Sequence, residues 1–154
     1  MSEVSRILDQ LQRAKHGPAW HGPALDVILA NVTAEAASRR PLPQAHSIWE
    51  IVLHIGVWMS IAARRIQGDH VPSLTTEQDW PPATGTSETD WRRALGALGE
   101  AQEKLEEEVK TLAEERLNQV VMGDTPQSIY VLLHGIVQHN LYHAGQISLL
   151  KNAG

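Results

Sequence analysis

The stretch SIWEIVLHIGVWMSIAARRIQG, residues 47–68, carries the signals of a long amphipathic helix. Ser47 is a good N-cap and Glu50 follows three residues later, which is the capping-box arrangement. Apolar residues then recur at helical spacing, and the buried stripe includes Val52, Ile55 and Met59. We predict a helix that begins after Ser47, runs to about Ile66 and stops at Gly68.

Most of the remaining chain also has helical periodicity. We predict a first helix over residues 2–15, a third over residues 87–115 and a fourth over residues 123–151. Ser87 with Asp90 forms another capping box, and Thr125 with Pro126 suits the start of the fourth helix. Shorter helical pieces are expected between residues 19 and 44, with Pro23 near a first turn. No strand-like alternation of any length is present, so the sequence predicts an all-α fold.

The segment GDHVPSLTTEQDWPPATGT, residues 68–86, has three prolines and no periodicity. A connection of this length is unusual in a compact domain unless it is functional or crosses the length of a bundle. Four long helices with one extended connection predict a four-helix bundle in which the second and third helices need not be antiparallel neighbours.

Length and composition limit the possible functions. A chain of 154 residues fits one domain, residues 1–154. The net charge of −5 and the lack of a dense basic stripe argue against nucleic acid as a partner. No apolar run is long enough for a membrane span or signal peptide. Cysteine is absent, which fits a cytoplasmic location. Without cysteine, any metal must be held by His, Asp or Glu.

The stretch QHNLYHAGQISLLK, residues 138–151, places two histidines one helical turn apart. His139 and His143 lie about 40° apart around a helix and therefore share a face, which is also the apolar face. Buried imidazoles are costly unless they are hydrogen-bonded or bound to something. The spacing lets both bind one metal ion, but two histidines bonded to backbone carbonyls would explain the pattern equally well.

His54 is the best third ligand, since it lies at the edge of the buried face of the second helix. Three imidazoles from two helices would leave positions open for water or substrate, as in catalytic sites. The alternative is an ordinary boundary residue. Glu50 precedes His54 by one turn and is a candidate general base, although its capping role alone explains it. Gln146 follows His143 by three residues and could orient its ring.

The other histidines are weaker candidates. We expect His134 to face away from the pair, because it lies about 140° from His139 around the helix. His16, His46 and His70 are expected at the surface, and His21 could line the mouth of a cleft.

The tryptophans are predicted to pack rather than react. Trp49, Trp58 and Trp91 stand at helical spacing in core or interface positions. Trp80 lies in the proline-rich connection, where we expect it to cover one end of the bundle.

Three segments, HSIWEIVLHIGVW (46–58), HNLYHAGQISLLK (139–151) and AWHGPAL (19–25), resemble the DinB-like (damage-inducible) family over nearly the whole chain. The resemblance implies an up-down-down-up four-helix bundle and a homodimer. It also implies a divalent metal ion, most often nickel or zinc, held by His54, His139 and His143. Some members of the family resemble transferases that use low-molecular-weight thiols, and others resemble metal-dependent hydrolases.

Two classes of function remain open at this point. In the first, a three-histidine metal site activates an external nucleophile against a small-molecule substrate, as a thiol S-transferase or a hydrolase. In the second, a stress-related binding protein uses the metal only to brace its bundle. A metal-free bundle with hydrogen-bonded histidines is a third possibility.

Overall fold

The long helix predicted from residues 47–68 is the central element of the structure, a computed structural model that describes residues 1–121, 123 and 125–153. It spans Ile48–Gln67. The Ser47 hydroxyl accepts a hydrogen bond from the Glu50 amide (3.2 Å), and the Glu50 carboxylate accepts one from the Ser47 amide (2.8 Å). Gly68 ends the helix in the left-handed conformation, φ 103°, which glycine adopts without steric cost. The predicted bounds and capping box are confirmed.

The described chain forms seven α-helices, a 3₁₀ helix and two very short strands, so the fold is all-α. In chain order the elements are α1 (Glu3–Lys15), α2 (Leu25–Leu29), α3 (Ala34–Ser38), α4 (Ile48–Gln67), α5 (Thr76–Asp79), α6 (Glu88–Lys110), the 3₁₀ helix (Glu114–Asn118), β1 (Val120–Val121), β2 (Gln127–Ser128) and α7 (Ile129–Asn152). The four longest helices are α1, α4, α6 and α7. Both α1 and α4 pack against α6 and α7, so these four enclose the core.

The core is apolar and includes two fully buried tryptophans. The rings of Trp49 on α4 and Trp91 on α6 lie 5.2 Å apart between centroids. The Trp91 indole N–H donates to the backbone oxygen of Val32 at 2.7 Å, which satisfies its polar atom inside the core. This bond also joins α6 to the segment between α2 and α3.

The long connection after α4 contains one short helix, α5. The Thr75 hydroxyl and the Gln78 side chain form a capping box at its start. At its end, Asp79 contacts His54 and Trp58 of α4. The connection therefore folds back onto α4 at His54 and Trp58.

The region before α7 differs from the prediction. The third long helix ends at Lys110, not near residue 115, and β1 pairs antiparallel with β2. Two-residue strands are too short to show alternation, so no pattern in the sequence indicates them. The predicted helix start at Thr125 and Pro126 is wrong, since these residues precede β2 and the helix begins at Ile129. Ser128 is the actual cap, and its hydroxyl accepts from the Val131 amide.

The helix near Pro23 is also shorter than expected. It starts at Leu25 and ends at Leu29, so Pro23 lies outside its first turn. Within the part of the chain that the structure describes, no helix is long and apolar enough to cross a membrane.

Candidate metal centre

Three imidazoles from two helices meet between α4 and α7. The Nε2 atom of His139 lies 2.9 Å from Nε2 of His54 and 3.1 Å from Nε2 of His143. His139 and His143 come from successive turns of α7, and His54 comes from the middle of α4. His54 and His143 are buried, with 5% and 4% of their surface exposed, and His139 is half-buried. The structure thus brings together the three histidines selected from the sequence.

Two of these rings have their tautomer set by the groups around them. His54 Nδ1 lies 2.7 Å from the backbone oxygen of Asp79, and a carbonyl oxygen only accepts, so Nδ1 carries the proton. His143 Nδ1 donates to the Gln146 side-chain oxygen at 2.6 Å in the same way. In each neutral ring the Nε2 atom therefore presents a lone pair to the centre of the cluster.

This arrangement suits a cation better than a hydrogen-bonded cluster. One proton on His139 Nε2 could satisfy only one of the two lone pairs that face it. Zinc–nitrogen bonds of 2.0–2.1 Å in tetrahedral geometry would place ligand nitrogens about 3.3 Å apart, close to the separations found here. The candidate ligand atoms of all three residues lie within 4.8 Å of one another, and together they could hold a metal ion.

Burial keeps the imidazoles of His139 and His143 uncharged. It lowers the pKa of His139 to about 4, and the neighbouring imidazoles of His143 and His54 add to the effect. The pKa of His143 is also lowered, chiefly by burial and despite its hydrogen bond to Gln146. Both rings are thus neutral near pH 7, the state in which an imidazole binds a metal.

Asp79 is a site residue that sequence reasoning missed. Its carboxylate lies 3.2 Å from His54 Nδ1 and accepts a hydrogen bond from the Trp58 indole at 2.8 Å. The residue therefore contacts the His54 ring through both its backbone and its side chain. Such partners fix the orientation and raise the basicity of a ligand imidazole. The available signal was an acidic residue directly before Trp80 in an otherwise unexplained connection.

Trp80 packs on His54, not over the end of the bundle. Its ring stacks on His54 at 3.8 Å between centroids with an interplanar angle of 2°. The opposite face stacks on His46 at 3.7 Å and 4°. His46, which was expected in solvent, is therefore half-buried against Trp80. The stack limits rotation of the His54 ring and shields one side of the cluster.

The contacts of Glu50 favour the capping role. Its carboxylate bonds to the amide and hydroxyl of Ser47 and pairs with the Arg40 guanidinium. Burial opposes ionisation, but these hydrogen bonds and the Arg40 charge outweigh it, so the pKa of Glu50 lies below its usual value. A carboxylate stabilised in this way is a weak general base.

A cleft of about 480 Å³ opens beside His143. Its walls include His46, Trp80, Tyr142, His143, Gln146 and Leu149. The lining residues are apolar or neutral polar apart from the two imidazoles, and no Asp, Glu, Lys or Arg is among them. The cleft offers room for a small uncharged or largely apolar group next to the cluster.

The remaining histidines lie away from the cluster. His134 is half-buried near Glu3, as expected of a residue on another face. His16 caps the end of α1 and pairs with Asp26. His21 is exposed and lines a separate depression with Trp20, and His70 is exposed in the connection.

A helical fold with three imidazoles converging between two of its helices defines a class of proteins that can hold a metal in a helical core. Consistent with that class, the family model of the DinB superfamily matches residues 19–147. The chain belongs to the DinB superfamily. Searches of curated proteins and of solved structures found no match.

Proposed function

We propose that this protein is a divalent-metal-dependent enzyme in which His54, His139 and His143 hold the ion. The observation that carries the proposal is the convergence of three Nε2 atoms, two of them fixed as lone-pair donors by Asp79 and Gln146. Three neutral ligands leave a bound divalent ion its full charge, which would acidify a water or thiol towards neutral pH. Nickel and zinc both accept imidazole ligands.

The cleft beside His143 is the proposed substrate site. A small molecule lying there would be bounded by Trp80 and Tyr142, and the Gln146 amide could meet a polar group. The chain has no cysteine, so a thiol nucleophile would come from outside, and a metal-bound water is the alternative. A low-molecular-weight thiol gives an S-transferase and water gives a hydrolase. Glu50 is left out of the proposed machinery because its carboxylate is already engaged.

A non-catalytic role for the metal is the second candidate. The His54 ring is stacked on Trp80, and both of its nitrogens are in contact with other groups. Such a rigid, buried group suits an ion that braces α4 against α7. In that case metal removal would lower stability, and no substrate would turn over.

The test starts from protein purified without an affinity tag. Metal content is measured for the unsubstituted protein, for His54→Ala and for the matched control His134→Ala, whose ring lies outside the cluster. We expect about one ion per chain, lost in His54→Ala and kept in the control. The measurement is repeated after the three proteins are incubated with nickel or zinc. A metal content that stays near zero in all of them would refute the proposed site.

Activity is then measured on the nickel- and zinc-loaded proteins. Small electrophiles are supplied with thiol cofactors for transfer, and esters and amides are supplied in water for hydrolysis. Turnover that disappears in His54→Ala and persists in His134→Ala supports the enzyme. Stoichiometric metal without turnover on any of these substrates supports the brace.

The finer structural expectations are proposals as well. We propose that residues 1–154 form one domain with an up-down-down-up helix order. Direct packing of α4 on α6 across a connection of about 20 residues supports this order, since parallel neighbours need a long link. We also propose a cytoplasmic homodimer that does not bind nucleic acid.

A further inference from the structure

A second pocket opens between the end of α1, the short helix α2 and the N-terminal part of α6. Its volume is about 370 Å³, at the lower end of the range for small-molecule sites. Within the described chain it shares no lining residue with the metal cluster or with the cleft beside His143. Unlike that cleft, it has charged residues in its wall, and we call it the Lys15 pocket after the most buried of them. The charged residues are Lys15, Asp26, Glu88 and Arg92.

Lys15 is an unusual wall residue because its charge is buried. It is the last residue of α1, and only 7% of its side chain is exposed. Among the described residues, its ammonium group has one hydrogen-bond partner, the Asp26 carboxylate. An ammonium group carries three donors, so two of them have no protein acceptor. Burying charged donors without acceptors is costly, and a ligand that supplied the acceptors would remove that cost.

The carboxylates of the pocket are engaged more fully than its cations. Asp26 accepts from Lys15, and its second oxygen lies 2.6 Å from Nδ1 of His16. Glu88 accepts from a backbone amide at the start of α3 at 2.9 Å. In contrast, the side chain of Arg92 is 78% exposed, and its ion pair with Glu88 is loose at 3.8 Å. The spare hydrogen-bonding capacity is therefore mostly donor capacity on Lys15 and Arg92, which favours an anionic ligand group.

Most of the remaining wall is apolar. Leu29, Val32 and Leu98 line the pocket and are buried in the protein. Leu95 is half-buried, and Trp91 adds an aromatic ring. Apolar surface that a ligand removes from water contributes favourably to binding, so this part of the wall suits an apolar ligand body. Together the two parts of the wall match a small molecule with a carboxylate at one end and a hydrocarbon group at the other.

We propose that the Lys15 pocket binds a small monocarboxylate with an aromatic or branched apolar body. Lys15 is the buried anchor, and a charge-assisted hydrogen bond to its ammonium is the strongest contact of the ligand. Arg92 is the exposed partner, whose contribution is screened by solvent. Asp26 stays bonded to Lys15 and holds the ammonium in place. This site goes beyond the proposed metal chemistry and does not depend on it, since the two share no residue.

Calorimetric titration with two matched ligands tests the proposal. Phenylacetate is the probe, and phenylacetamide has the same body without the charge. We expect saturable binding of the acid to the zinc-loaded protein and binding of the amide that is at least about 10-fold weaker, because the amide lacks the charge-assisted bond to Lys15. No binding of the acid, or equal affinities for the two ligands, would overturn the proposal.

Substitutions in the wall show whether the acid occupies this pocket. Lys15→Met keeps an unbranched side chain and removes the charge, and we expect it to weaken phenylacetate binding by at least about 10-fold. Arg92→Gln is expected to weaken it by about two- to threefold. Lys104→Met, at an exposed position of α6, is the matched control and should bind like the unsubstituted protein. Unchanged affinity in Lys15→Met would overturn the proposal.

A steric variant keeps the test decisive if Lys15→Met fails to fold. Ala30 is an exposed residue of the pocket wall, so Ala30→Trp can place a large ring in the pocket without changing any charge. We expect this variant to melt like the unsubstituted protein and to lose phenylacetate binding. Full binding in a folded Ala30→Trp protein would place the acid elsewhere and overturn the proposal.

His54→Ala separates this pocket from the metal centre, because a carboxylate can also bind a metal ion. We expect phenylacetate to bind His54→Ala and the unsubstituted protein equally, with or without zinc. Binding that disappears in His54→Ala and persists in Lys15→Met would place the acid on the metal and overturn the proposal. A protein that holds no metal should still bind phenylacetate, so the proposed function and this inference can fail independently.

Discussion

The Nδ1 atom of His54 lies 2.7 Å from the backbone oxygen of Asp79 and 3.2 Å from its carboxylate. This contact connects the middle of α4 with the end of α5, 25 positions further along the chain. It explains how a long, aperiodic connection contributes to the site. The connection holds the His54 ring so that its other nitrogen points at His139 and His143.

The Asp79 carboxylate is expected to strengthen metal binding without touching the metal. Asp79→Ala removes the carboxylate near Nδ1 and the acceptor of the Trp58 indole, and it keeps the backbone contact. We expect affinity for nickel or zinc to fall by about 10-fold, the lower end of effects seen for groups that orient ligands. Competition with a chromogenic chelator measures the change.

Glu77→Ala is the matched control, since Glu77 is an exposed acidic residue of the same short helix. It should leave the affinity within about twofold. An equal loss of metal affinity in both variants would mean that the net charge of α5 affects metal binding and that the contact between Asp79 and His54 does not.

Metal binding is expected to stabilise the fold. A ligand at 100 times its dissociation constant adds about 2.7 kcal/mol to the free energy of unfolding. For a chain of this size that corresponds to a rise in Tm of about 5–10 °C. Calorimetry with and without added zinc or nickel measures the shift, which should vanish in His139→Ala and persist in His134→Ala. An equal shift in both variants would place the stabilising ion elsewhere.

The buried hydrogen bond of Trp91 is expected to contribute substantially to the free energy of unfolding. Trp91→Phe leaves the Val32 oxygen without its indole donor and opens a small cavity. We expect the free energy of unfolding to drop by about 2 kcal/mol and Tm to drop by about 4–8 °C. Trp20→Phe, at a fully exposed tryptophan, should change stability by less than about 0.5 kcal/mol. Comparable losses at the two positions would contradict the assignment of Trp91 to the core.

The charge of Glu50 is expected to make stability depend on pH at the acid end. Its pKa is lower in the folded protein than the ordinary value of 4.5, so its ionisation favours folding. That contribution is complete above about pH 4.5 and is lost as pH falls through the lower, folded pKa. Glu50→Gln should therefore be less stable by about 1 kcal/mol at pH 7. The deficit should shrink below pH 4.5.

Thermal melts of both proteins between pH 3 and 7 measure this difference. Glu103→Gln, at an exposed position of α6, serves as the control and should follow the unsubstituted protein at every pH. A Glu50→Gln deficit that stays constant down to pH 3 would show that the hydrogen bonds of the capping box matter and that the charge does not.

The local parts of the fold were predictable because their causes are local. Ser47 and Glu50 set the start of α4 by bonding to each other, and Gly68 sets its end by bonding to the preceding turn. The predicted start of α7 is wrong because its cause is not local. Thr125 and Pro126 have the right chemistry for a helix start, but pairing of Val120–Val121 with Gln127–Ser128 delays the helix to Ile129. That pairing joins two two-residue segments, which are too short to show periodicity in the sequence.

The candidate site also has parts that the sequence predicts and parts that only the tertiary structure shows. By itself the sequence determined the helical spacing of His139 and His143, the place of His54 on the apolar side of α4, and the absence of any thiolate ligand. Only the tertiary structure decided that Asp79 and Trp80 hold the His54 ring and that a cleft opens beside His143. Spacing on one helix is fixed by backbone geometry, whereas contacts between distant segments depend on how whole helices and their connections pack.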